Sequence, residues 1–588
     1  MTVDTGPNAQ SAEDGAATFA IDPFTVEIIK DSLNAIGDEM FVSLQRTSKS
    51  PIIYEVLDYC CGITDDQAQL LAQGNGVAGF LGTLTFAVQS TIDKFGRDGL
   101  EDGDVIVTND PYTGGGTHLS DVSLVMPIFV DGELVAFSAN KAHWTEVGGK
   151  DPGSWTTDST DVWQEGLQFP CIKLFERGQP IRSLLDLIEA NVRTPEMSLG
   201  DMWAQVASCR LGALRFQELC RKHSVPTVRD VIRVLLDYGE SMVRRELAAL
   251  PAGVYEADDW IDDDGLSDDP LYCRVRVTIS ETEFVCDFTG SAAQAKGPIN
   301  CTWTGLVSAV RMVFKAVTDP HIPANEGTFR PMKVICPEGT VLTAKRPAPV
   351  STYWETMIFA ADLVWRALAT SVPERLSAGH FLSVCADVTF TIHPETGLPA
   401  ILVEPNAGGW GASYDQDGEG GLVCVGDGET YILPIEVTEA IYGIRVDRYE
   451  FNTAPGGEGA FRGGPGLIRD YRILSDDGGF VTATFGRHKY LPWGVDGGHQ
   501  GSRNAVQVRF ADGREPVTVG KTARFPLAKD DVVRLITGAG GGWGEPRNRD
   551  RSAVLADLRA ELITKQTALE VYGLTDVDLS KEEATTIS

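Results

Sequence analysis

Long apolar runs are missing from this 588-residue sequence. Nowhere do about eighteen apolar residues follow one another, the length a membrane-spanning helix needs, so a transmembrane helix is excluded. Basic residues are scarce beside acidic ones: 50 Lys and Arg against 83 Asp and Glu leave a net charge of −33. That balance argues against nucleic acid, whose phosphates need Lys and Arg partners, and against an anionic membrane surface. The excess acid is read as a solubilising surface. The N-terminus lacks a basic stretch followed by an apolar one, so no signal peptide is read there. Residues 1–21 are expected to be a disordered arm and the protein to be cytoplasmic.

Cysteine is present without a framework. Eleven are scattered with no CxxC spacing, and only Cys60 and Cys61 are adjacent. Neighbours in one strand point to opposite faces, so these read as reduced, small buried hydrophobes rather than ligands or bridges. No repeat of fixed period and no low-complexity linker occurs. A P-loop is missing too: between Gly513 and Gly520-Lys521-Thr522 lie six residues where the phosphate cradle requires four. The glycines of 456–466 are read as turns and close backbone approaches rather than as a phosphate cradle.

The length implies two to four domains. Apolar positions at helical spacing over 24–47 predict an opening helix. From Glu55 to about Leu134 the pattern shortens to strand-like runs, and Asp131-Gly132 between two apolar runs predicts a hairpin. Helical periodicity returns over 180–250, and strands are expected over 252–300. Further helices are expected over 300–320 and 353–372, then short strands with Gly-rich turns over 380–546. The fold class is α+β, multi-domain and intimately packed, with a β-rich, turn-dense C-terminal half. Its regions are 1–21 (arm), 22–180 (α+β, with the candidate site), 181–251 (helical), 252–378 (mixed α/β), 379–550 (β-rich, Gly-rich) and 551–588 (helical tail).

Histidine is rare, eight in all, yet His118 and His143 fall within one window of 26 residues. His118 and Asp121 stand at the start of one expected strand, and His143 returns on the next. A hairpin turn makes those strands antiparallel neighbours, so the three side chains can converge. Two imidazoles and a carboxylate leave open positions on a divalent ion, the arrangement of a catalytic site, where the ion lowers the pKa of water to about 7. The same pattern also fits hydrogen-bonded structural residues beside a Gly-rich turn. From the N/O ligand set zinc is favoured, with manganese and iron as alternatives.

Several ordered blocks then carry a resemblance. They are NDPYTGGGTHLSDVSLVMPIF at 109–129, KAHWTEVGG at 141–149, NVRTPEMSLGDMWAQVAS at 191–208, DFTGSAAQAKGPIN at 287–300 and PNAGGWGAS at 405–413, followed by GAGGGWGEP at 538–546. Together they resemble the hydantoinase B/oxoprolinase family from about residue 22 to 550. The resemblance implies a metal-dependent subunit of a two-component, ATP-dependent amidohydrolase. A hydantoinase A-type partner would use ATP and Mg to phosphorylate the carbonyl of a small cyclic amide, and this subunit would complete ring opening. Carried over residue by residue, the family's ligands fall on His118, Asp121 and His143, with Asp58 as a fourth. Two positions depart from the common pattern. Phe80 stands before Leu81-Gly82 where a His is frequent, and Trp144-Thr145-Glu146 follows His143 where His-x-Asp is frequent. Glu146 keeps a carboxylate and is the candidate catalytic residue, as proton shuttle or as a partner supporting a ligand. Two other functions stay open: a subunit of an acetone- or acetophenone-type ketone carboxylase, and a scaffold whose metal is only structural.

Overall fold

A computed structural model describes residues 21–575 of the chain. The arm expected at the N-terminus lies outside these residues except for Ile21, as does the tail beyond 575. The opening helix spans Pro23–Thr47, one residue from its expected start. Asp22 caps it by accepting from the Thr25 N–H at 3.1 Å, and Pro23 occupies the first turn, where no N–H is needed. Ile29, Leu33, Ile36, Met40 and Leu44 form its buried stripe.

That stripe packs on a seven-stranded antiparallel sheet built from β1 Tyr59–Asp65, β2 Leu70–Gln73, β3 Val105–Thr108, β4 Asp121–Val130, β5 Glu133–His143, β6 Ile172–Glu176 and β7 Gln179–Pro180. Their order is β2-β1-β5-β4-β3-β6-β7. The helix Pro195–His223 covers the same face. The other face is covered by a helix over Thr83–Phe95, within the region from Glu55 to Leu134 expected to hold strand-like runs. Its buried positions Leu84, Ala87, Val88 and Thr91 recur at helical spacing, and burial of that stripe outweighs the β-branched preference. Cys60 and Cys61 do point apart, Cys60 toward this helix and Cys61 toward the opening one. No cysteine is bridged.

The expected hairpin is present. Asp131 (φ 51°) and Gly132 (φ 83°) are both left-handed and join Val130 to Glu133 directly, the two-residue turn that matches strand twist.

Three smaller sheets follow. The first has four strands, and helices Trp303–Val317 and Tyr353–Leu368 pack together beside it. Every residue of Tyr353–Leu368 but Arg366 is buried, the mark of a helix at the centre of the molecule. The C-terminal half carries a four-stranded and a five-stranded sheet, with Ile435–Tyr442 as a short helix in the region expected to be strands and turns. The 456–466 glycines sit at close backbone approaches: a Cβ on Gly463 would lie 2.0 Å from the Gly540 carbonyl oxygen. Short helices at Arg551–Arg559 and Lys565–Glu570 occupy the described part of the tail. The whole is α+β.

Candidate metal centre

Backbone register brings the site together. Asp121 opens β4 and His143 closes β5, and the two are paired directly across the ladder. The Gly-rich loop that leads into β4 delivers His118 from just before it. All three side chains are buried, at 5% exposure or less, and each offers one ligating atom within 4.8 Å of the others. Their order in the chain follows the hairpin expectation.

The surroundings hold these groups in place. Gln205, from the helix Pro195–His223, donates to the Val122 carbonyl (2.9 Å) and to Asn140 Oδ1 (3.1 Å), and accepts from the Trp144 indole (2.7 Å). A buried amide thus ties both strands to the covering helix just behind the site. The Tyr353 hydroxyl donates to Asp121 Oδ2 at 3.0 Å, and the Thr117 hydroxyl donates to the same oxygen. Trp354 meets the His118 ring edge-on at 5.3 Å. Glu165 fixes the segment before Tyr353, its Oε1 accepting the N–H groups of Val350 and Ser351 at 3.0 Å each.

The electrostatics suit ligation. Burial pushes the His143 ring down to about 3, and His118 adds to that, so His143 is neutral near pH 7 with lone pairs available. Burial opposes the charge on Asp121, yet His118, His143 and Lys141 together hold its carboxyl well below the usual range. His118 Nδ1 and His143 Nδ1 are buried without a hydrogen-bond partner. Asp121 Oδ1 faces His118 Nε2 at 3.2 Å with no donor aligned on it. Orphaned buried polar atoms are costly, and two imidazoles with a carboxylate form a donor set for a divalent ion. The residues fit a metal.

The three line one cavity, with residues of the helix Tyr353–Leu368 on its far side. Asp58, half-buried just before β1, lines it too but lies outside the group of three. Its carboxyl is pushed well up by burial, then by Asp121 and Asp427. The Asp58 carbonyl accepts the His143 N–H at 3.0 Å. Phe80 lines the wall. Glu146 does not reach the cavity. It is fully buried, with Oε1 accepting from Gly148 N (2.7 Å), Ser154 Oγ (2.5 Å) and Arg193 Nη1 (2.9 Å), while Oε2 accepts from Gly153 N (3.2 Å). It organises the loop after β5.

Sequence reasoning missed the far wall. Trp155, Tyr353, Trp354, Val403 and Asp427 come from distant segments. Asp427 is half-buried, its carboxyl is raised by burial to about 7, and its enclosed Oδ2 has no partner. No spacing rule marks these positions. Only Tyr353 and Trp354, side by side at the start of an apolar helical stretch, carried any signal.

The sequence profile of the hydantoinase B/oxoprolinase family matches residues 22–546. The chain belongs to that family. Among similar members, the B component of a candidate D-/L-hydantoinase from Pseudomonas sp. (strain NS671) is 33% identical over 95% of this chain and 96% of its own. The beta chain of caprolactamase from Pseudomonas jessenii is 29% identical over 94% and 96%. The solved structure of ATP-dependent caprolactamase from Pseudomonas jessenii superposes with a TM-score of 0.88 at 27% identity, over 97% of this chain and 100% of that one. A nucleotide-free acetone carboxylase superposes at 0.87 over 96% and 83%, with 18% identity, and shares the fold. Among the described residues, no helix is long and apolar enough to cross a membrane.

Proposed function

We propose that this chain is the hydrolytic component of a two-component, ATP-dependent cyclic amide hydrolase, and that His118, Asp121 and His143 hold its catalytic divalent ion. One observation carries the reading: three mutually close ligating side chains, two with orphaned buried nitrogens, line one cavity.

When bound, such an ion supplies Lewis acidity toward a carbonyl-derived oxygen and makes water acidic enough to attack near neutral pH. His118 and His143 would ligate as neutral imidazoles. Asp121 would ligate through Oδ1, while Oδ2 is held by the Thr117 and Tyr353 hydroxyls, which fix the orientation of the carboxylate. Asp58 faces the same space and would add a second negative charge beside the ion. Trp155 and Trp354, packed edge-to-face at 5.4 Å, wall off bulk water. A lactam or ureide carbonyl is a weak electrophile because its nitrogen lone pair is donated into it. Prior O-phosphorylation removes that donation, which is why an ATP-using partner is assigned the first step. The relatives' own designations, the B component of a hydantoinase and the beta chain of a caprolactamase, support an obligate partner. Zinc is the ion proposed, from the two nitrogen donors. Glu146, saturated by backbone and Arg193 donors, is assigned to shaping the loop rather than to moving protons.

The test is reconstitution with the ATP-binding partner. ATP-dependent ring opening of a lactam or hydantoin, lost on chelation and restored by a divalent ion, is expected. Strict dependence on bicarbonate with a ketone substrate would overturn the hydrolase reading in favour of carboxylation.

A further inference from the structure

The wall facing the metal centre is apolar and acidic. Phe80, Trp155, Trp354, Met357 and Val403 supply the apolar part. Apart from the two imidazoles, every charge-bearing side chain lining the cavity among the described residues is a carboxylate: Asp58, Asp121, Glu404 and Asp427. Glu404 is already matched behind the wall, with Arg469 Nη1 at 2.8 Å and the Tyr471 hydroxyl at 2.5 Å. Asp427 is unmatched, its Oδ2 buried without a partner. The two positive charges of a bound divalent ion would face Asp121 and Asp58. A carboxylate carried on a substrate ring would therefore enter a low-dielectric space, next to like charges, with no cation left to receive it.

We infer that this protein selects uncharged cyclic amides, and discriminates against ring amides that carry a carboxylate substituent. The inference rests on the ring-opening function proposed above and narrows its substrate class. Apolar ring carbons would pack on the indoles of Trp155 and Trp354 and on Met357, while the amide group points at the metal ligands. A carboxylate buried without a cationic partner corresponds to discrimination on the order of 100-fold or more.

The test uses the reconstituted complex and three compounds sharing one five-membered lactam ring: 2-pyrrolidone, 5-oxoproline, and the neutral carboxamide of 5-oxoproline. ATP-dependent ring-opened product is measured for each. The expected result is that 2-pyrrolidone and the carboxamide are opened with kcat/KM at least ~100-fold above 5-oxoproline, the carboxamide showing that charge rather than size is rejected. Two variants assign the selectivity to this chain rather than to its partner. Asp427→Asn, which removes a carboxyl that ionises above about pH 7, and Thr430→Lys, which adds a cation at another cavity-lining position, are each expected to narrow the ratio ~10-fold or more at about pH 8. Equal or better turnover of 5-oxoproline overturns this inference and leaves the hydrolase reading standing. A ratio that neither folded variant moves assigns the selectivity to the partner and overturns it as well. Failure to open any cyclic amide removes the functional reading together with this inference.

Discussion

Asp121 and His143 sit directly opposite each other at the open end of the β4–β5 hairpin, the first residue of one strand facing the last residue of the other. Side chains alternate faces along a strand, so a slip of one residue would send one of the pair to the opposite side of the sheet. The turn at Asp131-Gly132 is therefore part of the site's specification. Gly132 has φ 83° and open space around it, so its replacement tests backbone strain alone. Gly132→Val is expected to cost about 1–2 kcal/mol in a denaturant melt, with a smaller cost for Gly132→Asn, which tolerates the left-handed region.

His118→Ala and His143→Ala are each expected to abolish stoichiometric binding of the divalent ion and to abolish turnover, while the far-UV spectrum and assembly with the partner are retained. Metal analysis of the purified complexes reads this. Variants that keep full activity without bound metal would contradict the proposed role, and variants that unfold but stay active when assembled would mark the ion as a structural strut.

Tyr353 supports the site through its hydroxyl on Asp121 and through its ring, 5.2 Å from that of His118. Removing its hydroxyl leaves Asp121 Oδ2 with the Thr117 donor alone. Tyr353→Phe is expected to weaken metal affinity by roughly 10–100-fold, measured by chelator competition, with little change in thermal stability.

These residues show where the sequence was legible and where it was not. The ligand triad could be read because its members are local: a tight turn converts spacing along the chain into proximity across a ladder. The opening helix could be read because its apolar stripe is exposed to no competing signal. Trp155, Val403 and Asp427 were unreadable because they reach the cavity through tertiary packing, which leaves no periodic trace. The Thr83–Phe95 helix was misread because its threonines favour strands in isolation, and only the sheet beneath it reveals which stripe is buried.

Glu146 and Arg193 form an ion pair at 2.9 Å in which the carboxylate is fully buried and the guanidinium is about one-third exposed. Arg193→Ala leaves a buried charge short of one donor. Solvent access and the remaining Ser154 and backbone donors limit the loss to about 2 kcal/mol. Glu146→Gln is expected to alter stability more than the shape of the pH–rate profile. A profile that loses one limb would instead return Glu146 to proton transfer.

His488 lies between Asp262 (3.1 Å from Nδ1) and Asp263 (3.0 Å from Nε2). Burial opposes its charge, but these two carboxylates raise the ring to about 9. An unfolded histidine loses its proton near 6.5. The contact therefore stabilises fully below about pH 6.5 and fades as pH rises through 9. His488→Gln is expected to lower stability at pH 6 and to converge on the parent protein above pH 9, measured by guanidinium melts across that range.

Residues 58 to 143 supply every proposed ligand, while the wall opposite is supplied by residues from 353 to 430. During synthesis the ion-binding hairpin leaves the ribosome some two hundred residues before Tyr353 does. A nascent chain would therefore present the three proposed ligands before the wall opposite them has been made.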